Sequence, residues 1–240
     1  MRQLITTVGS GMLILLIVPV AVWCAGWHWQ PQSSQLALPF LYAMTQTVTR
    51  PWGIVSTLVL GGALLSYLRW QGAGRIELFK AVLLVVAGVW GGQGINTLIK
   101  HQVKEPRPYT LWMQQVTGTP TADFYQQPTA ERRQWVTRVT AGYPQLPSYL
   151  RQHWEVETGY AFPSGHSMFA ACWALLILAL VKPGRHRWGV AVVFGWAILV
   201  MWSRMAMGMH WPRDVIMSIS VAAVWVCLLC WLLKMPARRS

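Results

Sequence analysis

Six stretches of the chain are long, apolar and nearly free of Asp, Glu, Lys and Arg, and no other feature restricts its folding more. A hydrocarbon core about 30 Å thick is crossed by roughly 20 apolar residues in a helix, and a charge at its centre is costly. The stretches run from about Leu4 to Trp27, Pro51 to Leu68, Lys80 to Ile99, Ser164 to Val181, Trp188 to Ser203 and Val215 to Leu233. They predict an all-α integral membrane protein, a bundle of six transmembrane helices forming one domain over residues 1–240. Composition agrees, since 54% of residues are hydrophobic, only 11% are charged and 16 are Trp, unlike an ordinary soluble domain. The net charge of +13 falls in short clusters between the apolar runs. That pattern predicts anionic lipid in the bilayer as the partner, and no nucleic acid.

The first stretch exceeds a secretory signal in length, and Trp23 stands before Cys24 where a lipoprotein site needs a small residue, so it reads as a retained span. From Trp29 to Arg50 the chain is moderately apolar with no charge before Arg50, which suits a helix lying against the interface. One set of connections holds Arg2; Arg69, Arg75 and Lys80; Lys182, Arg185 and Arg187; and Lys234, Arg238 and Arg239. The short segments of the opposite side hold Arg50, Arg204 and Arg213. Positive residues accumulate on the cytoplasmic side, so both termini are expected there and the insert 100–163 is expected outside. That insert carries five of the seven carboxylates, a helical pattern around Ala130 to Thr140, and aromatic residues from Trp112 to Trp154. It reads as a folded, mostly helical extracytoplasmic cap between the third and fourth spans. Gly88, Gly91, Gly92 and Gly94 give the third span a small-residue face for close helix approach. Cys24, Cys172, Cys227 and Cys230 all fall in apolar segments and read as small hydrophobes, without a disulfide framework or zinc site.

Three polar groups stand where spans meet the outer surface: Lys100 with Arg107-Pro108; Pro163-Ser164-Gly165-His166; and Ser203-Arg204, His210 and Asp214. Each alone has a bland explanation, such as a snorkelling lysine or an N-cap serine. Together they supply three cations, a helix N-terminus with free N–H groups, two histidines and a carboxylate, a set suited to binding and transferring a phosphoryl group. Pro212 favours the first position of the last helix, which leaves His210 just ahead of it and Asp214 in its first turn. Asp214, the only carboxylate after Glu157, needs a partner in apolar surroundings, and His210 is the nearest candidate. Of the other histidines, His101 stands beside Lys100, while His28, His153 and His186 read as interfacial or solvated.

Lys100, six residues, Arg107-Pro108; Pro163-Ser164-Gly165-His166; and Ser203-Arg204, five residues, His210, three residues, Asp214 together resemble the tripartite signature of the type 2 phosphatidic acid phosphatase superfamily. The stretches Thr47–Gly53, His153-Trp154 and His210–Asp214 are similar to a bacterial branch of it. The resemblance implies a lipid phosphatase of the bacterial inner membrane, with its site on the periplasmic side. Phosphatidylglycerol phosphate, undecaprenyl diphosphate or both would be substrates, with phosphatidic acid and related lipid phosphates as further candidates, and no cofactor or metal is implied. It further implies that His210 attacks phosphorus, that Asp214 holds its ring and that His166 protonates the leaving oxygen. Lys100, Arg107, Ser164, Gly165 and Arg204 would bind the phosphate. Two other readings remain open at this level: a phosphotransferase with an acceptor other than water, and a lipid transporter or scramblase. A transporter is expected to carry polar residues at mid-membrane, whereas the charges here lie at span ends. A phosphate held at the interface leaves the lipid chains in hydrocarbon, so substrate is expected to arrive laterally, through a lipid-facing gap near Ala170 or Ala171.

Overall fold

Inside a bilayer every backbone N–H and C=O must be paired within the chain, and uninterrupted runs of Leu, Val, Ala and Ile meet that demand as helices. The computed structural model describes residues 1–31, 36–181 and 183–235, without the side chains of 183–186, and every regular element in it is helical. Lys182, Arg238 and Arg239, and the side chains of Arg185 and His186, therefore lie outside the described residues. In chain order the helices are α1 (Arg2–Cys24), α2 (Leu38–Gln46), α3 (Trp52–Trp70), α4 (Arg75–Val86), α5 (Gly92–Val103), α6 (Pro108–Thr117), α7 (Thr121–Gln126), α8 (Thr129–Ala141), α9 (Ser148–Val156), α10 (Gly165–Leu180), α11 (Pro183–Ala206) and α12 (Pro212–Leu232). A single π turn over Ala87–Gly91 joins α4 to α5 without a break. The expected helix around Ala130 to Thr140 is α8, and α2 occupies part of the expected interfacial segment.

By length and composition five helical segments are able to cross a membrane: α1, α3, the α4–α5 helix, α11 and α12. The sixth apolar helix, α10, has 16 residues, about 24 Å at 1.5 Å per residue. It is the centre of the bundle, packed by α1, α5, α11 and α12, and every residue from Ser167 to Ile177 is buried. Ala170, Ala171, Cys172 and Ala174 let the surrounding helices come close, and Trp173 fills the larger spaces. The expected glycine face makes the same kind of contact. A Cβ at Gly88 would stand 3.0 Å from Leu176, and one at Gly92 3.0 Å from Met168, whereas Gly94 faces open space. A π turn lies beside these glycines, and its Ala87 carbonyl accepts a hydrogen bond from the Trp225 indole at 3.0 Å. Because Ala170 and Ala171 are fully buried, they line no lipid-facing gap. An apolar groove runs instead between α3 and α11, lined by Val55, Val59, Leu60, Val192, Val193 and Trp196, with Thr47 at one end.

Between α5 and α10, helices α6 to α9 enclose a second core of Tyr109, Trp112, Met113, Phe124, Leu146, Leu150 and Trp154. It docks on the end of α11, where helix carbonyls lack partners. The Trp29 indole donates to the Ala206 carbonyl and the Trp154 indole to that of Met207, both at 2.9 Å. The chain then turns at Gly208, whose φ of +67° and contact with the Trp29 ring leave no room for a side chain. This docking brings the end of the insert over the starts of α10 and α12.

Candidate active site

Pro212 opens α12, and the Asp214 carboxylate folds back to accept the Trp211 N–H at 2.9 Å. The same oxygen stands 3.2 Å from His210 Nδ1, so a local N-terminal cap also orients the imidazole. With the proton on Nδ1 facing the carboxylate, Nε2 carries the lone pair. Nε2 is 3.4 Å from Arg107 Nη1. His210 and Asp214 are both buried. Burial, followed by the charges of Arg107, Arg204 and Lys100, holds the His210 pKa well below the ordinary histidine value, so the ring is neutral at neutral pH.

Arg107 is the residue before α6, turned inward and 3% exposed. Its Nε donates to the Gly159 carbonyl at 2.7 Å and its Nη1 to that of Met209 at 3.1 Å, which fixes the plane of the guanidinium. Arg204, near the end of α11, is fully buried. Its Nη1 donates to Thr45 Oγ1 at 2.7 Å and to His153 Nε2 at 2.8 Å, and its Nη2 reaches a Glu157 carboxylate oxygen at 2.7 Å. Lys100 is half-buried in the last turn of α5. Ser164 caps α10, its Oγ accepting from the Ser167 N–H and hydroxyl. The Gly165 carbonyl accepts from Gln93 Nε2 at 3.0 Å, and a Cβ on Gly165 would crowd Gln93 and Asn96. His166, in the first turn of α10, has its Nε2 3.0 Å from Thr49 Oγ1 and 3.6 Å from Glu157.

The structure thus brings Arg107, His166, Arg204, His210 and Asp214 together at one end of the bundle, with Ser164 and Gly165 at the start of α10 and Lys100 close enough to act on His210 electrostatically. His101 is exposed, as is His28. The reading of His153 as interfacial or solvated is corrected, because it is 5% exposed and hydrogen-bonded to Arg204. Docking of the aromatic insert carries α9 inward, a tertiary effect that its local sequence does not announce. Burial, with Arg204 and Arg107 against the opposing Glu157, pushes His153 down to about 4, so it accepts from Arg204 as a neutral ring.

Glu157 is the largest omission from the sequence reading. Its carboxylate lies within 3.6 Å of four groups, Arg204, Arg107, His153 and His166. Burial alone would raise its pKa, but the charges of its neighbours, Arg204 foremost and Arg107 with it, outweigh that and hold it well below the usual carboxylate range. The available signal was the spacing of His153 and Glu157, four residues apart and so on one face of α9. Thr45 and Thr49, in and just after α2, are not site candidates in the sequence either: Thr49 enters only within the Thr47–Gly53 stretch, and both fall in the segment expected to lie against the interface.

A neutral imidazole held by a carboxylate has Arg107 beside its free nitrogen, and Glu157 links Arg107 to Arg204 and His166, all on a bundle of membrane-length helices. The chain belongs to the PAP2 superfamily, whose profile matches residues 81–238, and it is a membrane lipid phosphatase. It is 40% identical to phosphatidylglycerophosphatase B of Escherichia coli over 232 residues, covering 97% of this chain and 90% of that one. It is 29% identical to the protein of that name in Haemophilus influenzae, covering 92% and 90% of the two chains. A 70-residue portion, 29% of this chain and 31% of the other, is 37% identical to an undecaprenyl-diphosphatase of Sulfolobus acidocaldarius.

Proposed function

We propose that this protein hydrolyses phosphatidylglycerol phosphate, and undecaprenyl diphosphate as a second substrate, through a phosphohistidine on His210. One observation carries the reading: Asp214 holds His210 by Nδ1 and leaves Nε2 facing the Arg107 guanidinium. His210 Nε2 attacks phosphorus as the bond to the leaving oxygen breaks, and His166 donates the proton that this oxygen takes up. Asp214 stabilises the charge that develops on the ring. Water, deprotonated by His166, then cleaves the phosphorus–nitrogen bond, releasing inorganic phosphate and restoring both histidines. Lys100, Arg107, Arg204, Ser164 Oγ and the Gly165 N–H neutralise the phosphoryl oxygens, whose charge spreads in the transition state. The products are phosphatidylglycerol from the monoester and undecaprenyl phosphate from the diphosphate.

In the bilayer the five long helices and α10 make six spans, with both termini in the cytoplasm and the insert as a cap on the extracytoplasmic face of a bacterial inner membrane. The groove between α3 and α11 gives the lipid chains a lateral path, because its Thr47 end adjoins Thr49 and His166. Extracting a chain into water costs about 0.8 kcal/mol per methylene, so a path that keeps it in hydrocarbon is strongly favoured.

The test is a panel of lipid phosphates and diphosphates given to purified protein, with labelled phosphate followed into products. Release of inorganic phosphate is expected, whereas label on a lipid or saccharide acceptor would indicate a phosphotransferase, and lipid flipping in liposomes without hydrolysis a scramblase. Single cysteines in the insert are expected to react with an impermeant reagent from outside. Labelling of the Arg69–Arg75 turn instead would invert the topology.

A further inference from the structure

A phosphate site made of arginines is seldom left without an anion, because buried guanidinium groups that lack a counter-charge are costly. Here the protein supplies its own. Glu157 Oε2 lies 2.7 Å from Arg204 Nη2 and 3.5 Å from Arg107 Nη2, while Oε1 lies 3.6 Å from His166. These three residues are the ones assigned above to phosphate oxygens and the leaving group. Carboxylate and phosphoryl oxygens take the same forked geometry from arginine, so the two anions compete for the same donor atoms. Glu157 ends α9 and its side chain is 19% exposed, so the carboxylate is both tethered to the cap and the most accessible member of this cluster.

Granting the phosphate-binding roles proposed above, we propose that Glu157 is an internal competitor for the Arg107 and Arg204 guanidinium groups, one that keeps singly charged diester headgroups out of the site while terminal phosphates displace it. A tethered carboxylate competes at an effective concentration on the order of millimolar or higher. A diester lipid brings one negative charge, no more than the carboxylate it must replace. A terminal phosphate brings about −1.5 to −2 near neutral pH. Facing Arg107, Arg204 and Lys100, the higher charge prevails. The device matters because a site at the bilayer interface is surrounded by diester headgroups in large excess over substrate. Without the carboxylate, those headgroups would fill it.

The test is direct binding by calorimetry of inorganic phosphate and of dimethyl phosphate, a singly charged diester without chains, to the wild-type protein, Glu157→Gln and Glu157→Asp. Glu157→Gln is expected to tighten both ligands at least tenfold. Glu157→Asp, with its charge kept and its reach shortened, is expected to tighten them severalfold and to carry the test if the glutamine variant does not fold. In mixed micelles, phosphatidylglycerol at bulk mole fraction is expected to inhibit hydrolysis by the variants while leaving the wild type active. Unchanged or weaker anion binding by either folded variant would overturn the proposal. A wild-type protein that binds phosphate but hydrolyses no lipid phosphate would instead overturn the catalytic reading, leaving the competition measurable by binding alone.

Discussion

Around α10 the core consists of Leu, Val, Ala, Met and Trp173, with no ion pair among its described residues, and the outer face presents Leu13, Leu58, Val192 and Val224. The core of the insert is aromatic, with Tyr109 stacked on Trp154 at 4.9 Å and Trp112 packed edge-on against Tyr143 at 4.8 Å. Polar ties bind it to the bundle. Lipid chains are as apolar as leucine, so the bundle gains little by hiding apolar faces and relies on close packing over small residues. The insert gains from burial and from hydrogen bonds to the carbonyls at the end of α11. The candidate site residues lie on the seam. The bundle helices carry Lys100, His166, Arg204 and Asp214, with His210 in the α11–α12 turn, and the insert brings Arg107, His153 and Glu157.

If the seam is held by buried charge, breaking it should have the largest effect. Arg204→Ala removes the closest partner of Glu157 and a proposed phosphate ligand, and removing one member of a buried pair costs about 3–5 kcal/mol. Turnover should fall to background, and limited proteolysis should cut within residues 108–156 far faster than in the wild-type protein. An Arg204→Ala protein with a resistant insert would show that aromatic packing alone holds the seam.

A paired substitution sharpens the contrast between the cores. Trp154→Phe removes an indole donor bonded to the Met207 carbonyl and should destabilise the insert by about 1–3 kcal/mol. Trp173→Phe removes an indole N–H that is buried in the bundle without a hydrogen-bond partner, so its polar loss should be near zero. Thermal unfolding followed separately by proteolysis of insert and bundle measures both, and equal losses would erase the distinction.

The electrostatics of the seam also predict pH dependence. The folded His210 pKa is lowered, so the neutral nucleophile persists as pH falls through 6.5 and is lost only in more acid solution. The acid limb of kcat/KM, corrected for substrate ionisation, should therefore have its midpoint below 6.5. A midpoint at or above that value would mean that burial and the surrounding cations do not hold this ring neutral. The smallest effect is expected at Thr49, which touches His166 from the segment after α2. Thr49→Val should lower kcat by roughly three- to tenfold, about 1 kcal/mol, and Thr49→Ser should restore it. A larger loss in KM than in kcat would indicate damage to the lipid path instead.

Legibility in the sequence divided along the same line. The bundle was readable because α1, α3, α11 and α12 carry their charges near their ends and leave apolar runs of membrane length between, and Pro212 and Ser164 mark helix starts by local rules. His210 and Asp214 come together within one capping turn, so their pairing was visible from spacing alone. The shortness and central burial of α10 were not visible, since its composition matches that of a lipid-facing helix. Glu157 and His153 were missed because only the docking of Trp154 on α11 brings them to Arg204. The spacing of His153 and Glu157 sets them on one face of α9 but does not say whether that face turns inward or to solvent.

If His210 carries the phosphoryl group, the intermediate can be trapped on it. Purified protein is mixed with a lipid phosphate labelled in its terminal phosphoryl group, quenched in denaturing alkali within the first turnovers, and mapped by mass spectrometry. Alkali-stable, acid-labile phosphate is expected on His210 and absent from His210→Ala, whose turnover should be lower by about four orders of magnitude or more. Acid-stable phosphate on another residue, or substantial turnover by His210→Ala, would contradict that role for His210.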